Sequence, residues 1–276
     1  MRVRFGPSGL PGNGGLKERL EALKEMGFDA CELDFVREFW VDKEDASGAR
    51  GTISELGVAV RAHAPFYGVL SQGDPEKEVM AVAMMHHTAN LVHLMGGDGI
   101  TVHPGFYMGR SRKEVMSTVE ARCGELQERL ESNDIDDVII GVENMGNGSE
   151  FGGNLEDILD ICEISPIIFP LIDWGHIQAT CDGCLVDANS YVEILASIED
   201  RLDVECLRKT RHQFSEVEYS DRKERRHLAY GSGDLKLDHL LQALEEMGLK
   251  EVLIISESPG YEDHRKMLEL VRSETD

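Results

Sequence analysis

The chain has 276 residues, of which 41% are hydrophobic, enough to bury the core of one large α/β domain or two small ones. Its 28 basic and 52 acidic residues give a net charge of -24, which excludes a protein that grips nucleic acid through a broad basic surface and points to a solvated acidic exterior, suited to high salt or heat. No apolar run reaches the ~18 residues of a membrane span, the start MRVRFGPSG lacks the apolar core of a signal peptide, and the six cysteines form no small-scaffold framework. They read as reduced thiols, and the expectation is a cytoplasmic monomer with no membrane partner.

In chain order, a strand is predicted over 2–5, followed by the turn-rich GPSGLPGNGG and a helix to about Met26. That helix has Leu16, Leu20 and Leu23 on one face and Gly27 as its stop. DACELDF (29–35) is a second strand. VAVRAHAP (58–65) is a third, ended by Pro65 just after His63. A helix over 75–95 closes at Gly96-Gly97. GITVHPG (99–105) repeats the design, with Pro104 directly after His103. A charged helix covers 111–131. DVIIGVENM (137–145) and FPLIDWG (169–175) are the fifth and sixth strands, the seventh lies near 206–214, and EVLIISESP (251–259) is the eighth, with a last helix at 262–272. Runs such as VIIGV and VLIIS are continuously apolar, as in parallel strands covered on both faces. Eight strands alternating with helices predict a (β/α)8 TIM barrel in a single domain. The stretch 214–234 reads as a long irregular loop on the face where polar residues gather, a position that favours function.

Six successive segments end in a metal-grade ligand at nearly even intervals: His63, His103, Glu143, Asp173 with His176, His212 and Glu257. One polar residue at a strand end is common, but six in a row suggest convergence, because the strands of one closed sheet deliver their carboxyl ends to one face. His227 lies in the loop beyond, whereas His86, His87, His93, His239 and His264 fall in helical segments and read as surface or packing residues. Imidazole with carboxylate suits zinc, manganese or iron better than calcium or magnesium. Eight ligands exceed one tetrahedral ion, and Glu143, in the middle of the series, is the natural bridge. Two residues three apart, as Asp173 and His176 are, leave a strand end in different directions and suit different ions. Adjacent divalent ions are a clamp for phosphoryl transfer, and their charge would let a local pocket attract phosphate on an acidic body.

These segments resemble the metal motifs of the endonuclease IV family of apurinic/apyrimidinic endonucleases: His63-Ala-Pro, His103-Pro-Gly-Phe-Tyr, Val142-Glu143-Asn144-Met145, Ile172-Asp173-Trp174-Gly175-His176 and Glu257-Ser258-Pro259. His212-Gln213-Phe214-Ser215 through Arg225-Arg226-His227-Leu228 is similar to its archaeal-type members. The resemblance implies a barrel with three zinc ions, manganese being an alternative, that cleaves damaged double-stranded DNA 5′ to an abasic site. It implies that His63 and His103 hold one ion, that Glu143 bridges to a second completed by Asp173, His212 and Glu257, and that His176 and His227 hold a third. Glu143 is the residue on which catalysis would turn.

One position departs from the family pattern. Arg225 stands where an aspartate completes the third site, and a guanidinium offers no lone pair. The expectation is a third ion that is weakly held, absent, or completed by Glu224, Glu218 or water, with Arg225 alternatively facing a phosphate itself. Phe66 and Tyr67, after His63, stand where the family inserts bulky residues into the duplex, and Arg37 where it places a DNA-contacting loop. The basic run from Arg208 to Arg226 reads as a phosphate grip beside the metals. Cys181-Asp-Gly-Cys184 is a lone CxxC and weak evidence for zinc. The rival reading is a sugar isomerase or epimerase on the related xylose-isomerase-like barrel, which shifts protons on a small sugar with one or two ions.

Overall fold

The computed structural model describes residues 1–275. In chain order the elements are β1 (Arg2–Pro7), α1 (Leu16–Glu25), β2 (Ala30–Asp34), α2 (Lys43–Leu56), β3 (Ala59–His63), α3 (Pro75–Met95), β4 (Gly99–Val102), α4 (Arg112–Glu131), β5 (Ile139–Glu143), α5 (Leu155–Ile164), β6 (Ile168–Asp173), α6 (Trp174–Thr180), α7 (Ala188–Leu202), α8 (Val204–Lys209), β7 (Arg211–Phe214), β8 (Val217–Ser220), β9 (Lys223–His227), α9 (Leu237–Glu246), β10 (Glu251–Ser256) and α10 (Tyr261–Thr275). The long strands form one parallel sheet in the order β1-β10-β7-β6-β5-β4-β3-β2. At the seam Gly9 N donates to Glu32 O at 2.8 Å and Asp29 N to Phe5 O at 3.3 Å, so the sheet is a nearly closed (β/α)8 barrel.

The helices start where short polar side chains satisfy the first free amides. Asp42 caps α2, Asn154 caps α5, and Ser111 forms a capping box with Glu114 at the start of α4. Pro75 enters α3 at its first turn behind the cap Asp74. Leu20, Leu23, Val82, Met85, Val119 and Leu126 bury the inner faces of α1, α3 and α4 against the sheet. No helix among the described residues is long and apolar enough to cross a membrane.

Parallel pairing fixes which residues share the inner face, because side chains alternate along a strand. The ladders pair Glu32 with Arg61, Arg61 with Gly99, and Thr101 with both His63 and Gly141. Further round they pair Asp173 with Gln213 and Ile255 with Gly6. The interior therefore carries Glu32, Arg61, Thr101 and Gln213, all fully buried, below a top layer of His63, His103, Glu143, Asp173 and Glu257.

Two expectations need correction. Residues 206–209 belong to α8 rather than to the seventh strand, because Asp203 caps a short helix at Cys206 N and the strand begins only at Arg211. The stretch 214–234 is not irregular: β8 and β9 pair as an antiparallel hairpin with a bulge at Glu218/Tyr219. Its strand EYS…KER is too charged to show an apolar alternation.

Candidate metal centre

The strand ends bring the expected ligands together. Glu143 lies between two groups, with Oε2 3.4 Å from His63 Nε2 and 3.3 Å from His103 Nε2, and Oε1 3.2 Å from His176 Nδ1. The hairpin adds the other side: Glu224 Oε2 is 2.9 Å from His176 Nε2 and its Oε1 is 3.2 Å from His227 Nε2. Ligand atoms within 4.8 Å of one another define three overlapping groups, His63–His103–Glu143, Glu143–Asp173–His176 and His176–Glu224–His227. Glu257 stands at the edge, its Oε2 3.9 Å from His227 Nε2.

Backbone carbonyls orient three of the imidazoles. His63 Nδ1 is 2.8 Å from Ala64 O, His176 Nδ1 is 2.6 Å from Asn144 O, and His227 Nδ1 is 2.7 Å from Glu257 O. A ring that donates Nδ1–H to a carbonyl keeps its Nε2 lone pair for a cation. This decides between the two groups that share His176. Its Nδ1 is taken by Asn144, so its Nε2 belongs with Glu224 and His227, and Asp173 remains with Glu143.

Asp173 is held from both sides: Asn144 Oδ1 accepts from Asp173 N, and Asn144 Nδ2 donates to Asp173 O. Asp173 Oδ1 caps α6 by accepting from His176 N at 2.8 Å, which leaves Oδ2 for the site. The hairpin is docked by Glu224 N donating to Gly146 O at 2.7 Å. A Cβ at Gly146 would come within 2.6 Å of the His176 ring and 3.0 Å of Glu224 Oε2, so this close approach requires glycine.

The donor set fits a divalent cation. With the imidazole Nε2 atoms unprotonated, Glu143 Oε2, Asp173 Oδ2 and Glu224 Oε2 are buried without a hydrogen-bond donor, a costly state for carboxylates that a proton on a neighbouring ring or a cation relieves. Burial, reinforced by the charges of Glu143 and Asp173, pushes Glu257 up to about 8. Burial likewise raises Asp173, with Glu143 adding to it against the opposing charge of His176. Burial lowers His63, but its hydrogen bond to Glu143 and the charges of Glu32 and Glu143 outweigh that and raise it to about 10. Burial raises Glu224, but hydrogen bonds from His176 and His227 outweigh that and lower it to about 2. Acids packed this closely cannot all ionise together without positive charge beside them.

His212 does not join the group. Alternation turns it outward between Ile172 and Ile254, where its ring stacks on Trp174 at 6.0 Å and its Nδ1 has no partner. Burial, then the charge of Arg211, lowers it to about 3, so it is neutral. Gln213, not His212, takes the inward place beside Asp173.

Of the other predicted residues, Phe66 and Tyr67 are exposed beside the centre, at 41% and 64%. The Phe66 ring lies 6.3 Å from that of His103. Phe66 N donates to Val36 O, which brings the exposed Arg37 to the same rim. Arg225 points away, with Nε donating to Ser220 Oγ and Nη2 to Asp221 Oδ2, and Glu218 pairs with Arg226. Of the three completions expected for the last site, the structure presents Glu224. The phosphate-grip reading fails for the start of the basic run. Arg211 sits at the amino end of β7, on the opposite face of the barrel, where it pairs with Asp98. The reduced-thiol reading fails for Cys181 and Cys184, which are joined in a disulfide. Their loop packs on the hairpin turn, where Thr180 O and Asp182 Oδ1 accept from Arg222. Glu32, Arg61 and Gln213 were legible as charged or polar residues inside apolar strands, and Asn144 as the neighbour of Glu143.

Several known proteins resemble this chain. A protein described as uncharacterized from Methanocaldococcus jannaschii is 28% identical over 262 residues, covering 94% of this chain and 92% of its own. A protein named "Probable endonuclease 4" from Mycoplasma pneumoniae is 26% identical over 219 residues, 75% and 70% of the two chains. Among solved structures, endonuclease IV from Thermus thermophilus has a TM-score of 0.76 at 17% identity, covering 98% of each chain. A D-tagatose 3-epimerase-like protein has 0.77 at 20%, covering 98% of this chain and 96% of that one. These two likenesses establish the fold. The family model described as "Xylose isomerase-like TIM barrel" matches residues 20–274, and the chain belongs to that family.

Proposed function

We propose that the protein is a metal-dependent phosphodiester hydrolase that nicks damaged double-stranded DNA 5′ to abasic sites. The observation that carries this reading is the row of three overlapping ligand groups with Glu143 turned toward both sides. A sugar-shifting enzyme needs one or two ions, and a row of this length exceeds that. The relatives named endonuclease 4 support it. His63, His103 and Glu143 would hold one ion, Glu143, Asp173 and Glu257 a second, and His176, Glu224 and His227 a third; the histidine-rich donors suit zinc, with manganese also accommodated. Divalent ions held by these residues would supply a nucleophilic water at neutral pH and neutralise charge on a phosphate.

The residues themselves perform the rest. Asn144 fixes Asp173 from both sides, and the carbonyls of Ala64, Asn144 and Glu257 hold the Nδ1 protons of His63, His176 and His227, so no ring needs to turn when a phosphate arrives. Phe66 and Tyr67 offer aromatic faces at the rim where unpaired bases can stack, with Arg37 beside them for a phosphate. An abasic site, whose pairing is already lost, costs least to open there.

An abasic-site duplex incubated with the purified protein should be nicked 5′ to the lesion, and chelator should abolish this. Glu143→Gln should lower the rate by roughly 10²–10³-fold or more. Turnover of a free keto sugar with silence toward every DNA would overturn the reading in favour of an isomerase.

A further inference from the structure

Barrel interiors of this kind are filled by Val, Ile and Leu, yet here a chain of polar side chains crosses the axis beneath the metal centre. Gln213 Nε2 lies 3.0 Å from Glu32 Oε1 and 3.1 Å from Glu257 Oε1, so one amide group donates to two carboxylates. β7 and β2 are not neighbours in the sheet, and the contact therefore spans the interior. Glu32 also accepts from Thr101 Oγ1 and faces Arg61 Nε at 3.8 Å. Arg61 donates to Asp98 Oδ2 at 2.8 Å and to Ile100 O at 3.0 Å, and Asp98 is clamped from below by Arg211 at 2.8 Å.

The column is built into the sequence. A Cβ at Gly141 would stand 3.0 Å from Arg61 Nη2, and one at Gly99 would stand 3.0 Å from Nη1 and would also collide with Ile139 O, so glycines on two neighbouring strands leave room for the guanidinium. Glu32, Arg61, Thr101 and Gln213 are all fully buried. Buried charges cost several kcal/mol each, and well-packed apolar residues in their place are often as stable or more so. Stability alone therefore does not account for the column, whereas its upper end does: it terminates on Glu257, which has no strand to fix its carboxylate because β10 ends at Ser256.

We infer that Gln213, anchored on Glu32, is a positioning residue that holds the Glu257 carboxylate toward the second ion position, and that the Asp98–Arg61–Glu32 column is its foundation. This rests on the proposed reading only in taking Glu257 as a ligand, not in any activity toward DNA. The amide oxygen of Gln213 has no partner, so the residue acts here as a donor, with both contacts made through Nε2.

The test is metal affinity, read by competition between the purified protein and a chromophoric zinc chelator, beside thermal unfolding of the chelator-stripped protein. Gln213→Met keeps the volume and removes both donated bonds. Gln213→Asn keeps the amide but is one methylene too short to reach both carboxylates, and serves if the first variant does not fold. Either should weaken the binding of one zinc by about 10–100-fold, the usual effect of removing the partner of a ligand. The stripped variants should unfold cooperatively. Glu257→Gln should lose the same ion, and combining it with Gln213→Asn should add little. Zinc affinity unchanged in a folded Gln213 variant would overturn the inference, as would full zinc binding by Glu257→Gln. The nicking assay is separate: a wild-type protein that binds zinc as described and leaves DNA intact would defeat the endonuclease reading and not this one.

Discussion

At the residue scale the centre depends on which side chains present a lone pair to it and which do not. In the proposed centre Glu224, and not Arg225, would take that role. Glu224 faces His176 and His227, while Arg225 is tied to Ser220 and Asp221. Glu224→Gln should therefore lose one equivalent of tightly bound zinc, its affinity falling at least about tenfold, whereas Arg225→Ala should retain the wild-type content by elemental analysis. Equal loss in both would place the arginine in the site after all. Of the other candidate ligands, His63, His103, Glu143, Asp173 and Glu257 were legible because each follows an apolar run and several stand just before a proline or glycine. His212 was misleading for a reason of period: the pattern locates the strand, but only the register of β7 against β6 and β10 decides that 213 rather than 212 points inward.

At the element scale the strands and the helices α1, α3, α4 and α10 were readable, though α5, α7 and α9 were not placed, because the readable signals are local: continuous apolar runs, Pro65 and Pro104 after the strand-end histidines, Gly96 at the end of α3, and the Ser111–Glu114 capping box. α2 was missed because Ala46, Ala49, Gly48 and Gly51 blur its apolar period, although Ala46 and Ala49 are its buried face. The β8–β9 hairpin was missed because its pairing is held by charged side chains and by backbone contacts to the loop after β5, which no short window reveals. That hairpin matters, since it brings His227 and Glu224 to the centre. The rim loops give a second prediction. Replacing Phe66 and Tyr67 with alanine should weaken binding of an abasic duplex by about 1–3 kcal/mol per lost stack, roughly tenfold or more. Hydrolysis of a small phosphodiester should change little. Equal losses on both substrates in parallel assays would show that these aromatics shape the centre rather than contact DNA.

At the scale of the whole molecule, a body of net charge -24 places its acids mainly on a solvated surface, yet buries Glu32, Arg61, Glu143 and Asp173 along the barrel axis. The lower end of that axis can be read by pH. Burial raises Asp98, but the hydrogen bond from Arg211 and the charges of Arg61 and Arg211 outweigh that and lower it to about 2. Its folded value lies below the unfolded one of about 4, so its contribution is complete above about pH 4 and is lost as pH falls through about 2. A shift of that size corresponds to on the order of 2 kcal/mol. Urea unfolding of chelator-treated protein should show Asp98→Asn well below wild type at about pH 7, with the gap closing toward about pH 2. A gap independent of pH would mean that the Asp98 carboxylate is not held by charge.

The claim on which the rest depends is that several cations share one ligand row centred on Glu143. Anomalous diffraction at the zinc edge, from crystals grown with zinc, locates such ions directly. The expected result is at least two ions within about 4 Å of each other, both bound by Glu143, with a further ion on His176, Glu224 and His227. A single ion filling the cavity, or ions bound away from Glu143, would contradict it.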